Sequence, residues 1–183
     1  PFCDPFCGSG TIPIEAALIA KNRAPGLDRS FAAQKWKNMD SKLWLEAGDE
    51  AMDKEFHGHY DIWGGDIDPA AVELARHNAE LAGVEDCIRF EVADAGKFHR
   101  DSEYGQLVTN PPYGERLLEK KEAEDLYRMF GAALRDLPPK WRVLVLSSHT
   151  EFERCFGRTA DKKRKLYNGM IKCDVFMYGC LLY

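Results

Sequence analysis

The sequence predicts a doubly wound α/β domain: seven strands in a mostly parallel sheet that ends in an antiparallel hairpin. Three observations carry that prediction. Short apolar runs alternate with helical patterns at the spacing of strand–helix–strand units. A glycine-bearing turn, Asp4-Pro5-Phe6-Cys7-Gly8-Ser9-Gly10-Thr11, opens the chain between a strand and a helix. Further along, Asn110-Pro111-Pro112-Tyr113 follows the apolar run Gln106-Leu107-Val108-Thr109. The tetrapeptide therefore stands at a strand's C-terminal end, where open α/β sheets bind their ligands.

The two or three residues before the opening turn form the first strand. Residues 11–22 carry apolar side chains at helical spacing, and Arg23-Ala24-Pro25-Gly26 stops that helix. Residues 27–59 read as a charged insertion of the same domain, with a helical stretch over residues 41–56. The second strand covers residues 60–65. Pro69 falls in the first turn of the next helix, where its missing N–H costs nothing; that helix covers residues 70–82 and ends at Gly83. The third strand covers residues 87–92, and the fourth contains residues 107–109. A helix over residues 123–136 is closed by Pro138-Pro139, and the fifth strand is residues 141–147. Residues 165–166 and 171–181 pair as the terminal hairpin.

Residues 1–183 are read as one domain, large enough to bury about two-thirds of its unfolded surface. Six cysteines (Cys3, Cys7, Cys87, Cys155, Cys173 and Cys180) lack any C-x-x-C spacing. They read as reduced thiols acting as small buried hydrophobes. Paired Cys/His spacing for zinc is missing, and His57-Gly58-His59 reads as a solvated loop, so no metal is expected. No apolar run approaches the roughly 20 residues that span a bilayer, and a cytoplasmic location is expected. Net charge is −5. Tight nucleic-acid binding needs a basic footprint, and the one compact basic run, Lys162-Lys163-Arg164-Lys165, reads as a solvated loop that adds weak, nonspecific attraction to RNA phosphates. Strong nucleic-acid affinity is therefore expected from a region outside this sequence. The chain also enters its opening turn within a few residues, as a fragment without its N-terminal part would.

Neither proline at Asn110-Pro111-Pro112-Tyr113 can donate a hydrogen bond. The tetrapeptide offers acceptors, the Asn110 side-chain oxygen and nearby carbonyls, beside an aromatic ring. That combination suits a planar group with an exocyclic amine, such as adenine, guanine or cytosine. In the opening turn, Gly8 and Gly10 permit backbone angles and a close approach that a Cβ would block. The turn is neither the dinucleotide G-x-G-x-x-G nor a Walker loop. A phosphate cradle is disfavoured there, whereas a small zwitterionic cofactor fits.

These two motifs resemble one family, together with Ile14-Glu15-Ala16-Ala17, Gly65-Asp66-Ile67-Asp68-Pro69, Thr109 to Gly114, and Arg164-Lys165-Leu166-Tyr167-Asn168-Gly169. It is the family of S-adenosylmethionine-dependent amino-methyltransferases often described as N6-adenine-specific DNA methylases. Its characterised members are 23S rRNA guanine-N2-methyltransferases with an N-terminal THUMP RNA-binding domain. The resemblance spans nearly the whole chain. It implies the Rossmann-like class I methyltransferase fold, S-adenosyl-L-methionine as cofactor, and RNA, 23S rRNA in particular, as partner, gripped mainly by the absent N-terminal domain. Guanine N2 is the expected acceptor.

On this reading Asp66, ending the second strand, accepts from both ribose hydroxyls, while Ile67 packs on adenine and Asp68 caps the following helix. Asp94 accepts from the adenine amino group. Asp4 organises the methionine end of the cofactor, in a pocket lined by the backbone of Cys7, Gly8 and Gly10. Phe6, Thr11 and Ala95, in the same turns, complete the cofactor set. Cys7 is structural, because displacement at a sulfonium needs no thiol intermediate, and Glu15 is either a surface charge or a support for the residues that hold the cofactor. Asn110, Pro111, Pro112 and Tyr113 form the catalytic set, with Asn110 also bordering the cofactor. Adenine-N6 methylation of DNA or RNA is the nearest alternative. Protein glutamine methylation shares the N-P-P-Y site but lacks the resemblance at residues 164–169. An NAD(P)-dependent Rossmann enzyme and a non-catalytic nucleotide-binding module are the alternatives from other classes.

Overall fold

Seven strands form one sheet in a computed structural model that describes residues 1–113 and 117–179. They are β1 (Phe2–Asp4), β2 (Ile62–Asp66), β3 (Ile88–Val92), β4 (Tyr104–Thr109), β5 (Lys140–Ser147), β6 (Lys162–Asn168) and β7 (Ile171–Tyr178), in the order β3-β2-β1-β4-β5-β7-β6. The first five are parallel, and β7 runs antiparallel to both β5 and β6. The chain thus has the doubly wound sheet and terminal hairpin that the alternation predicts. Gly114, Cys180 and Leu181, which the sequence reading places in the acceptor motif and the last strand, lie outside the described residues.

The helices among the described residues are α1 (Thr11–Ala20), α2 (Ser41–Asp53), α3 (Pro69–Leu81), α4 (Leu117–Ala133) and α5 (Phe152–Phe156). The core divides into two clusters. Ile14 and Ala17 of α1 and Val72, Ala75 and Ala79 of α3 pack with Ile62, Ile88 and Phe90 on one face. Tyr127 and Phe130 of α4 and Phe152 and Phe156 of α5 pack with Leu107, Val143, Val145 and Phe176 on the other. Period-two alternation explains the division. In β2, Ile62 joins the first cluster and Trp63 the second, as a strand buried on both faces requires.

Local chemistry sets the helix starts. The Asp68 carboxylate accepts from the Ala70 N–H at 2.9 Å with Pro69 as first helical residue, so the expected cap and proline start of α3 are both present. In α2 the Asp40 carboxylate plays the same part, accepting from the Lys42 N–H at 2.9 Å.

Besides shifts of a few residues at several element ends, three differences from the sequence reading matter. α4 begins at Leu117, ahead of the expected residue 123, because Glu119-Lys120-Lys121-Glu122 are good helix formers that lack an apolar stripe. α5 was not expected; it is only five residues long, too short to show a helical period. The largest correction concerns the basic run at 162–165, read as a solvated loop that leads into a hairpin strand at residues 165–166. It is the first half of β6, the edge strand of the sheet. Lysines on an edge strand deter pairing with another chain, so a charged run is compatible with strand there.

Candidate active site

β3, β2, β1 and β4 lie side by side with their C-terminal ends on one rim, and the strand order changes direction between β1 and β4. That is the topological switch point of a doubly wound sheet. The strand ends and loops at this rim carry the residues expected to hold the cofactor and the base: Asp94 and Ala95 after β3, Asp66 and Ile67 at β2, residues 4–11 from the end of β1, and Asn110 to Tyr113 after β4.

The turn after β1 is tied down at several points. Gly8 and Gly10 adopt φ of 51° and 84°, a left-handed conformation that L side chains rarely take. Gly10 is also required by packing, because a Cβ there would stand 3.0 Å from the Ala75 Cβ of α3. The Cys7 N–H donates to the Gly65 carbonyl at 2.9 Å, and the Gly8 N–H donates to the Asp66 carboxylate at 3.0 Å. Asn78 of α3 donates to the Ser9 carbonyl at 2.8 Å. The other Asp66 oxygen accepts from the Asp68 N–H at 3.0 Å, so this carboxylate organises two loops at once. Thr11 begins α1 and its hydroxyl lies 3.3 Å from that of Ser9.

Asp4 is the buried charge of the site, with 1% of its surface exposed. One carboxylate oxygen accepts from the Thr109 hydroxyl at 2.5 Å and from the Phe6 N–H at 3.1 Å. The Thr109 bond spans the switch point, joining β1 to β4. The other oxygen is buried with no partner among the described residues. Burial pushes the carboxyl up to about 7; the Thr109 and Phe6 hydrogen bonds oppose that rise and the neighbouring Asp66 charge adds to it. A buried acceptor without a donor is suited to the ammonium of an amino-acid moiety. Burial also pushes the Cys7 thiol up to about 12, with Asp4 and Asp66 adding to the shift, so it is not a thiolate at neutral pH.

Ile67 projects from the end of β2 with 72% of its surface exposed, an apolar side chain available to a flat ring. Asp94 accepts from the Gly96 N–H at 2.9 Å and caps the helical turn Ala95–Lys97. Ala95 belongs to the α4-side core, and Phe6 packs edge-on against Phe130 at 5.1 Å between ring centroids. Their side chains therefore serve packing.

In the loop after β4, Asn110 is exposed and its side-chain oxygen accepts from the Tyr113 hydroxyl at 2.5 Å. Pro111 is buried and Pro112 exposed. The Pro112 carbonyl accepts from the Tyr127 hydroxyl of α4 at 2.7 Å. That hydroxyl also lies 3.2 Å from Ser147 Oγ, which accepts from the His149 N–H at 3.1 Å. The His149 Nδ1 accepts from the Glu151 N–H at 3.1 Å, and burial lowers the imidazole's basicity. Thr109, Tyr127 and Ser147 thus anchor the site although sequence reasoning missed them. Thr109 offered one signal, since Leu107 and Thr109 alternate inward along a strand. Tyr127 offered none, because its partner is a backbone carbonyl.

Among the described residues, no group of three or more His, Cys, Asp or Glu side chains could hold a metal ion. No described helix is long and apolar enough to cross a membrane. The described cysteines, Cys3, Cys7, Cys87, Cys155 and Cys173, are free and buried.

The model of the UPF0020 family, an RMKL-like methyltransferase domain, matches residues 1–176. The Bacillus subtilis protein named "Putative RNA methyltransferase YpsC" is 47% identical over 182 residues, covering 97% of this chain and 46% of that protein. The "Ribosomal RNA large subunit methyltransferase K/L" of Shewanella baltica is 42% identical over 180 residues, covering 96% of this chain and 25% of that protein. The chain therefore spans half or less of the length of these relatives. Among solved structures, SMU.472, described as "a putative methyltransferase complexed with SAH", superposes with a TM-score of 0.93 at 43% identity, covering 97% of this chain and 47% of that one.

Proposed function

The chain belongs to the UPF0020 family of RMKL-like methyltransferase domains and uses S-adenosylmethionine; on that premise we propose that it methylates the exocyclic amine of a nucleobase in RNA, guanine N2 of 23S rRNA. The observation that carries the proposal is the acceptor motif, Asn110 to Tyr113, leaving β4 beside the strand ends that bear Asp4, Asp66 and Asp94. RNA is favoured over DNA by the names of the two relatives, and the ribosomal large subunit by the second. Guanine N2 rests on the motif resemblance that includes residues 164–169.

S-adenosylmethionine supplies an activated methyl group on a sulfonium. Asp66 would hold the ribose hydroxyls, giving up its bonds to the Gly8 and Asp68 amides or sharing them. Ile67 would cover one adenine face and Asp94 would accept from the adenine amine. The unpartnered Asp4 oxygen would meet the methionine ammonium. Phe6, Cys7, Gly8, Gly10, Thr11 and Ala95 complete that wall through the backbone and packing described above.

An aromatic amine is a poor nucleophile because its lone pair is delocalised into the ring. Orientation is what the protein contributes most. The Asn110 oxygen and the Pro111 carbonyl would accept from the amine, polarising its nitrogen and offsetting the positive charge that grows on it. Tyr113 would stack on the base, which must first leave its helical stack. Tyr127 keeps the Pro112 carbonyl engaged and so fixes the backbone of the Pro-Pro segment.

The test is a methylation assay with full-length protein, 23S rRNA and labelled cofactor, read by nucleoside mass spectrometry. N2-methylguanosine is expected; N6-methyladenosine would replace the proposal with its nearest alternative. Asn110→Ala should lower turnover by about 10²–10³-fold, the effect of losing one transition-state hydrogen bond, with S-adenosylhomocysteine affinity near wild type. Near-normal turnover in that variant would remove Asn110 from the mechanism.

A further inference from the structure

Ser147, the last residue of β5, is paired with Asp174 of β7, and Asp174 with Lys165 of β6. Because β7 runs antiparallel to β5, residues 166–168 and 171–173 continue past the end of β5 on the rim that carries the candidate active site. Three residues at about 3.3 Å each lift the hairpin tip roughly 10 Å above that rim. The tip is the two-residue connection Gly169-Met170, with φ of 62° at Gly169, the first central position that a type II′ turn reserves for glycine.

This tip has an unusual surface. Tyr167 is 73% exposed and Met170 97% exposed. Tyr167 is paired with Lys172, and alternation from the Lys163–Phe176 pair puts both on the sheet face covered by α4 and α5. The acceptor loop leans to the same side, since Tyr127 of α4 binds the Pro112 carbonyl. Residues 162–178 carry five cations (Lys162, Lys163, Arg164, Lys165 and Lys172) against the single carboxylate of Asp174. In a chain of net charge −5, that local excess selects an anionic partner. Lys163 is engaged by Glu153 at 2.7 Å.

We infer that the β6–β7 hairpin is an RNA-binding element of this domain, in which Tyr167 stacks on an unpaired base flanking the target while Lys165 and Lys172, on the same sheet face, contact phosphates. The inference rests on the proposal that RNA is the substrate. Extruding a target base leaves its neighbour without a stacking partner, and an exposed ring beside cations supplies one to any base.

Full-length wild-type protein, Tyr167→Ala, Tyr167→Phe and Lys172→Gln are compared by fluorescence anisotropy with a labelled single-stranded 23S rRNA oligonucleotide, across a range of salt. Tyr167→Ala should weaken binding by at least about fivefold at every salt concentration, with Tyr167→Phe near wild type. Lys172→Gln should lower the slope of log affinity against log salt by about one. S-adenosylhomocysteine affinity and thermal midpoint should be unchanged in all three. Methylation of rRNA by the wild type is measured alongside. If the wild type methylates rRNA and Tyr167→Ala binds as tightly, the hairpin assignment alone is overturned. If the wild type methylates DNA and ignores RNA, the functional proposal falls and the hairpin assignment with it.

Discussion

Burial lifts the Asp4 carboxyl from an ordinary value of 3.8 to about 7, and this has a defined sign for stability. Between those values the folded protein retains a proton that the unfolded chain has released. Stability therefore declines as pH rises through that window and stays reduced above it. Asp4→Asn keeps an acceptor for Thr109 and Phe6 but cannot ionise. Without cofactor, its thermal midpoint should exceed that of wild type by a few degrees at pH 8 and match it at pH 4, as scanning calorimetry can check. Cofactor binding should show the opposite pH trend. If the ionised Asp4 meets the methionine ammonium, S-adenosylhomocysteine should bind wild type more tightly as pH climbs through 7, and titration calorimetry should find no such rise in Asp4→Asn. The Tyr113 hydroxyl donates to the Asn110 oxygen, which on the proposed mechanism also accepts from the target amine through its second lone pair. Stacking on the base needs only the ring. Tyr113→Phe should retain turnover within about tenfold of wild type and Tyr113→Ala should lose most of it; equal losses would mean that the hydroxyl matters in its own right.

α4 and α5 meet through a glycine. A Cβ at Gly131 would collide with the Phe156 carbonyl oxygen, a backbone atom that moves only if α5 moves. Alanine is the better helix former by about 1 kcal/mol, yet overpacking against backbone costs about 1–3 kcal/mol. Gly131→Ala should therefore destabilise the domain despite its propensity gain, seen as a lower urea midpoint at constant slope. A midpoint at or above wild type would show that α5 shifts freely. The same scale explains what the sequence made legible. α3 could be read because Asp68-Pro69 announces its start and Gly83 its end, and β2 because Ile62-Trp63 stands between loops. β6 could be read only at residues 165–166; its start could not, because an edge strand needs no buried face and Lys162 to Lys165 show none. In the site, Asp4, Asp66 and Asn110 were legible as polar residues at strand ends. The partners that hold them were not: Thr109 lies 105 residues from Asp4 in sequence, and the Tyr127 bond depends on where α4 comes to rest against the Pro-Pro segment.

For the whole molecule, a ligand that binds only the folded state raises stability by mass action. S-adenosylhomocysteine at one hundred times its dissociation constant should add about 2.7 kcal/mol, which for a domain of this size moves the thermal midpoint by about 5–10 °C. NAD and ATP at equal concentration should leave the midpoint unmoved, and a shift with either would contradict a turn that lacks a phosphate cradle. The two-cluster core bears on how such a domain changes over evolutionary time. Residues 7–90 supply the α1–α3 cluster under the proposed cofactor side, whereas the α4–α5 cluster under the acceptor motif comes mostly from residues 95–178. Cys3 and Trp63 are the early residues that enter the second cluster. Phe6 and Ala95 of the proposed cofactor set also touch that second cluster, and the Thr109 hydroxyl binds Asp4. Substitutions in the later half that stay clear of those contacts are therefore the ones expected to change the methyl acceptor while leaving the cofactor pocket intact.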